Sequence, residues 1–259
     1  MPVFHPTLES GGLSNFRSCV KQPYPLLFVT ISGAHLYGFP SADSDYDLRG
    51  IHILPLKKVI GLQTGPETRD ISADQEGIEL DLVTHGVKKF MGLLLKRNGY
   101  VLEQLYSPLI VATSPEHDAL KAIATRCITR HHSHHYLGFA QAQWRLFTKA
   151  SPARVKPLLY VFRVLLTGIH LVQTGEIEAN LRHLNEKFQL AYIPDLIAQK
   201  SSGPEQAVIK ESDQAFYHQK YSRLLQYLEN TSQSSILPDS PSAAADLHDL
   251  LVKVRLAAC

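Results

Sequence analysis

The hydrophobic pattern of this chain changes period along its length, and the change divides it. Leu26, Leu27, Phe28, Val29, Thr30 and Ile31 are apolar but for one threonine, which predicts a short buried strand leading into a glycine turn at Gly33-Ala34. A second strand is predicted from Asp47 through the β-rich run Leu48-Arg49-Gly50-Ile51-His52-Ile53-Leu54. The alternating Ile78-Glu79-Leu80-Asp81-Leu82-Val83 predicts a third, with residues 61–77 read as a polar loop before it. Helical periodicity takes over from about Gly86 to Arg97 and is interrupted at Asn98-Gly99. A further helix is expected from Ser114-Pro115, where serine suits an N-cap and proline a first turn. The carboxy-terminal half reads as all helix. Its clearest element begins at Ser151-Pro152 and ends at Gly175, with Pro157 expected to kink the second turn or move the start. The first 25 residues look irregular, and the Ser- and Pro-rich stretch from Thr231 to Ser242 reads as an exposed connector before a last helix.

These elements predict an α+β chain whose 259 residues suffice for a catalytic domain and a helical partner, divided as 1–130 and 131–259. A net charge of +2 is too mild to announce a nucleic-acid binder, so any basic surface must be local. Cys19, Cys127 and Cys259 are odd in number, far apart and without paired metal-ligand spacing, which argues for reduced thiols. The start, Met1-Pro2-Val3-Phe4-His5-Pro6, lacks the basic residues and apolar core of a signal peptide, and no run of about 18 uncharged apolar residues occurs. A soluble cytoplasmic protein without a membrane partner is expected. In that setting the glycosylation match Asn230-Thr231-Ser232 carries no weight.

Candidate chemistry gathers at the front of the chain. In an extended segment Asp45 and Asp47 point the same way, and carboxylates at that spacing suit Mg²⁺ bridging to nucleotide phosphates. Asp81, inside the third strand, stands to complete a two-metal cluster with them. Turn chemistry accounts for Asp43 in Ser41-Ala42-Asp43-Ser44-Asp45, but not for Asp47 at the head of a strand or for Asp81 in the middle of one. An unpaired buried carboxylate is costly, so such acids need a partner, and salt bridges to Arg49 or Arg69 compete with a metal ion for that role.

A glycine turn, a spacer, an acid-hydrophobic-acid-hydrophobic motif and a later acid on another strand resemble the signature of the DNA polymerase beta nucleotidyltransferase superfamily. Gly33-Ala34, residues 35–44, Asp45-Tyr46-Asp47-Leu48 and Asp81 fill those places; the alternative register Asp43-Ser44-Asp45-Tyr46 puts serine where the pattern wants an apolar residue. Tyr37-Gly38, Ser44-Asp45-Tyr46-Asp47-Leu48-Arg49-Gly50, Leu93-Leu94-Leu95-Lys96-Arg97-Asn98 and Val101-Leu102-Glu103-Gln104-Leu105-Tyr106-Ser107-Pro108 are similar to the bacterial members associated with RNA repair. The resemblance spans residues 26–182. It implies a small mixed β-sheet nucleotidyltransferase core with flanking helices, followed by an all-α domain that closes over the nucleotide. One departure is Ala34, where the family carries serine; the lost hydroxyl removes a hydrogen bond of about 0.5–1.5 kcal/mol, while the turn backbone can still donate to a triphosphate. His35 beside the turn is a candidate phosphate contact or a solvated loop histidine.

Lys156, Tyr160 and Arg163 fall at i, i+4 and i+7, so one helix face carries two cations and an aromatic ring able to hold a triphosphate and stack on a base. With Gly33, Ala34 and His35 they form the candidate nucleotide-binding set. The stripe Gln141, Arg145 and Lys149 reads as an ordinary solvated face. His131-His132-Ser133-His134-His135 reads as a solvated helix start rather than a metal site, and Asn98 and Glu103 as structural residues behind the catalytic one.

The expected reaction uses Mg²⁺ or Mn²⁺ on Asp45, Asp47 and Asp81 and moves an NMP from an NTP, ATP among them, to an acceptor hydroxyl with loss of pyrophosphate. Family likeness points to an RNA 3′ end as acceptor. The rivals are AMP transfer to a protein hydroxyl and a non-catalytic nucleotide sensor or toxin-antitoxin partner, the latter supported by Ala34 and opposed by the three acids.

Overall fold

The structure, a computed structural model, describes residues 3–4, 23–41, 44–75, 78–202 and 208–257. The first apolar run is β2 (Leu26–Ile31), buried at every position and flanked in the sheet by β3 (Tyr46–His52) and β6 (Ile110–Thr113). With β1 (Val3–Phe4), β4 (Thr68–Gln75) and β5 (Ile78–Gly86), these strands form a mixed sheet in the order β1-β6-β2-β3-β5-β4. Only β3 and β5 run parallel, and their register sets Asp47 opposite Asp81 and Leu48 opposite Leu82. One face buries Leu48, Leu80 and Leu82 with Val29, Ile31, Val111 and Ala112.

The other face is covered by α3 (Val87–Leu95), α4 (Gly99–Leu105) and α5 (Pro115–Ala124). Phe28 meets Phe90 edge-on and stacks on His117 there, and Thr30 donates to the Gln104 carbonyl. Asn98, read from sequence as structural, is the N-cap of α4: its Oδ1 accepts from the backbone N–H groups of Tyr100 and Val101.

Residues 61–77 are not all loop, since β4 lies within them. TRDISADQ shows no apolar alternation because β4 is the sheet's edge and has a partner on one side only. The short α1 (Gly33–Tyr37) follows β2, and α2 (Lys57–Ile60) follows β3.

The second half is helical, as expected: α6 (Ser133–Lys149), α7 (Val155–Thr174), α8 (Leu181–Phe188), α9 (Tyr192–Ser202), α10 (Gln214–Ser234) and α11 (Ala244–Ala257). α7 starts at Val155 rather than Ser151, which puts Pro157 in the first turn where its missing N–H costs nothing. It ends at Gly175 in the left-handed conformation, with the Gly175 N–H bonded to Leu171. By length and composition α7 could cross a membrane; 83% of its most apolar 18-residue window is buried, and the helix packs against α6, α8, α9 and α10, as a core helix does. The expected connector from Thr231 is helix to Ser234, because Thr231 and Ser234 return their hydroxyls to carbonyls one turn back and stay helical.

By contact the chain forms two units, one of residues 1–33, 45–127 and 241–259, the other of 34–44 and 128–240. A single boundary after residue 130 therefore does not describe them. The terminal helix α11 returns to the first unit, where it packs on α3 and α5, Asp246 pairs with Arg126, and the Ser242 N–H bonds to the Arg126 carbonyl. Cys127 is buried, a free thiol pushed up to about 11 by burial. Cys19, Cys259, Asp43 and the irregular stretch before residue 23 lie outside the described residues, save Val3–Phe4.

Candidate active site

The first unit's site is built on two adjacent parallel strands. Alternation along β3 and β5 sends Leu48 and Leu82 into the core on one face and leaves Asp47, Arg49 and Asp81 on the other. Arg49 sits between the acids: its Nη2 donates to Asp47 Oδ1 at 2.7 Å and to Asp81 Oδ2 at 3.1 Å. Nη1 donates to the carbonyls of Leu48 and Asp81, and Nε to the Tyr100 hydroxyl at 3.0 Å. Burial alone would lower the Arg49 pKa, yet Tyr100, Asp47 and Asp81 carry it above its ordinary value. Asp47 and Asp81 thus form a carboxylate pair that shares one fixed cation, their side chains 32% and 37% exposed.

Gly33 closes the pair from the side. It holds φ +63°, and a Cβ built on it would stand 1.8 Å from Asp47 Oδ2, so only glycine permits this approach. The Ser32 N–H bonds to the Asp47 carbonyl at 2.7 Å and fixes the turn against β3. Asp45, exposed, precedes β3 and does not join the pair; among the described residues no group of three His, Cys, Asp or Glu side chains converges as a metal site. The Asp47–Asp81 donor set nevertheless fits a hard divalent cation: both contribute carboxylate oxygens, and both already turn them to one positive group.

The remaining candidates belong to the second unit. Ala34, half-buried, accepts the Phe39 N–H through its carbonyl, and His35 Nε2 lies 3.4 Å from the Ser44 carbonyl. Lys156 and Tyr160 are half-buried on α7; Tyr160 meets the rings of Tyr37 and Phe39 edge-on. Arg163 shares that face, as its spacing implies, but is 2% exposed, its guanidinium 3.9 Å from the Tyr37 ring centroid. Arg163 is thus buried against Tyr37 rather than presented to solvent.

The sequence gives no signal for the groups that hold Gly38 and Ser41. Gly38, at φ +82°, stands against Asn180 and offers its carbonyl to Arg182 Nε at 2.6 Å. Lys200, 1% exposed, donates from its ammonium to Ser41 Oγ at 2.6 Å. Gln141, Arg145 and Lys149 are exposed, as an ordinary solvated stripe is. The histidine cluster divides its work: His132 is wholly buried and caps its own turn through Thr129, so it is not part of a solvated start, while His131 pairs with Asp239. Burial, then Arg163, lowers the His135 pKa.

Three comparisons place these observations. The chain is similar to the uncharacterized protein MJ0002 of Methanocaldococcus jannaschii, 34% identical over 60% of this chain and 63% of the relative. It is also similar to the uncharacterized protein YcgL of Bacillus subtilis, 25% identical over 61% of each. The matches span less than two thirds of the length of these relatives. A solved nucleotidyltransferase-like protein from Exiguobacterium sibiricum aligns over 88% of this chain and 74% of its own, at 16% identity and a TM-score of 0.31. The profile of the RNA repair pathway DNA polymerase beta family matches residues 11–253, almost the whole chain, and the chain belongs to that family.

Proposed function

We propose that this chain is a metal-dependent nucleotidyltransferase that moves an NMP from an NTP to an acceptor hydroxyl, releasing pyrophosphate, with an RNA 3′ end as acceptor. The observation that carries the reading is the Asp47–Asp81 pair, in register on parallel strands beside Gly33. Family membership supports the reaction class, and the family's description supports the RNA acceptor. Magnesium or manganese, held by Asp47 and Asp81, would supply Lewis-acid polarisation of the α-phosphate and a lowered pKa for the attacking hydroxyl.

The chain's own residues do the rest. Asp81 takes the proton as the acceptor oxygen bonds to the α-phosphorus and the bond to the β-phosphate oxygen breaks, the electron pair leaving with pyrophosphate. Arg49 and Gly33 hold the Asp47 carboxylate in one orientation, so no reorganisation is needed when charge develops.

One observation favours a second reading, a non-catalytic nucleotide binder: Arg49 already satisfies both carboxylates. Label from each α-labelled NTP, offered with Mg²⁺ to an RNA bearing a 3′-hydroxyl, the same RNA with a 3′-phosphate, and protein, separates the cases. Label on the 3′-hydroxyl RNA alone is expected. Label on protein moves the acceptor to a protein hydroxyl, and bound but unconverted nucleotide selects the binder.

A further inference from the structure

A cavity of about 190 Å³ lies in the first unit at the far end of β5 from Asp81, lined among others by Leu54, Val59, Glu67, Val87, Lys58, Lys88, Lys89 and Arg255. Its walls carry four cations against one carboxylate, net +3, while the whole chain carries only +2. The positive charge that composition spreads thinly is therefore concentrated here. Placing four cations around one small space is unfavourable on its own. Burial lowers the Arg255 pKa, and burial followed by Lys89 pushes the neighbouring His85 down to about 4.

The backbone adds to the charge. α3 starts at this cavity with Gly86 as its N-cap, and no side chain caps it. Its first-turn residues Val87, Lys88 and Lys89 line the cavity, so the positive end of its dipole lies at the same space as the lysines. Gly86 spends its own N–H on the Glu67 carbonyl, which ties the β3–β4 connection to the cavity rim.

Volume decides what can enter. Sites for whole drug-sized ligands occupy roughly 300–1,000 Å³, so this cavity is too small for a nucleoside triphosphate and ample for one phosphate group with part of its sugar. Leu54, Val59 and Val87 supply an apolar wall for the sugar. Gly86 lies five residue steps along β5 from Asp81, about 17 Å at 3.3 Å per residue, a span that a short single strand bridges. We infer that this cavity binds a backbone phosphate of the RNA strand whose 3′ end lies at Asp47 and Asp81. The inference rests on the proposed transferase reading and adds to it a second anchor for the substrate.

The test compares wild type with Lys58→Gln/Lys88→Gln, whose side chains are half-exposed and exposed, and with Lys88→Glu as a second variant; thermal melts confirm that each folds. The probe is a short fluorescent single-stranded RNA, titrated at salt concentrations between about 50 and 200 mM. Affinity is expected to fall about 3- to 10-fold in the double variant, and the slope of log affinity on log salt by about 0.7, the value for one lost phosphate contact. NMP transfer to a dinucleotide too short to reach the cavity stays unchanged.

Equal affinity and slope in wild type and both variants overturn the proposal. A raised KM for NTP in the variants at unchanged RNA affinity assigns the cavity to the phosphates of the nucleotide and overturns the strand assignment. RNA binding that depends on these lysines, in a protein that transfers no nucleotide, leaves the cavity standing and removes the transferase reading.

Discussion

Arg49 in the first unit and Arg163 in the second are both largely hidden cations within segments that resemble one family, yet they do different work. Arg49 lies between two acids that keep about a third of their surface open, so the group it neutralises remains reachable. Arg163 lies over an aromatic ring inside its unit, at 2% exposure, and Lys200 beneath Ser41 is as deeply placed. A cation beside half-exposed carboxylates marks a site where charge can be exchanged. A cation over a ring, with its surroundings closed, marks a fastening.

Four substitutions or conditions break or sharpen this contrast. Gly33→Ala strikes the open site hardest, because the added Cβ meets Asp47 Oδ2 and the backbone is left-handed; transfer should fall about 10²-fold or more and stability by about 1–3 kcal/mol, read by kinetics and denaturant melts. Acid comes next. His117 is wholly buried, stacked on Phe28 and held down to about 4, chiefly by burial. Its folded pKa lies below its unfolded value near 6.5, so the unfolded chain takes up the proton first. Stability is therefore full above about pH 6.5 and declines toward pH 4, by on the order of 3 kcal/mol, measured as Tm against pH.

Arg163→Met tests the fastening: loss of the contact with Tyr37 should cost about 2 kcal/mol in a melt and leave the KM for NTP near wild type. A raised KM at unchanged stability would return Arg163 to the phosphate. The smallest effect belongs to Lys149→Ala on the solvated stripe, within about 0.5 kcal/mol of wild type.

The open site was legible in the sequence because its signal is local. Asp47 and Asp81 stand out as acids at fixed places in strand periodicity, and Gly33 follows an apolar run directly. Arg49 was legible as a competitor for the acids, though not as a group that binds both. The fastening was not legible, because the partners of Gly38 and Ser41 lie far along the chain: Arg182 is 144 residues from Gly38 and Lys200 is 159 from Ser41. Helical spacing put Lys156, Tyr160 and Arg163 on one face and could not say that Arg163 is buried there. β4 escaped because an edge strand needs no apolar alternation, and α4 because its seven residues begin at an Asn-Gly pair that reads as a break. The return of α11 to the first unit depends on Leu247, Leu250 and Val254, whose spacing marks a buried face without naming its partner.

The most direct test of the central claim is Mg²⁺-dependent transfer from α-labelled NTP to an RNA 3′ end by wild type and by Asp47→Asn and Asp81→Asn, with melts run alongside. The account predicts transfer by wild type and a loss of about 10²–10³-fold in each variant, the scale for removing one group that stabilises transition-state charge, while both still fold. Wild-type transfer that persists undiminished in both folded variants would contradict it.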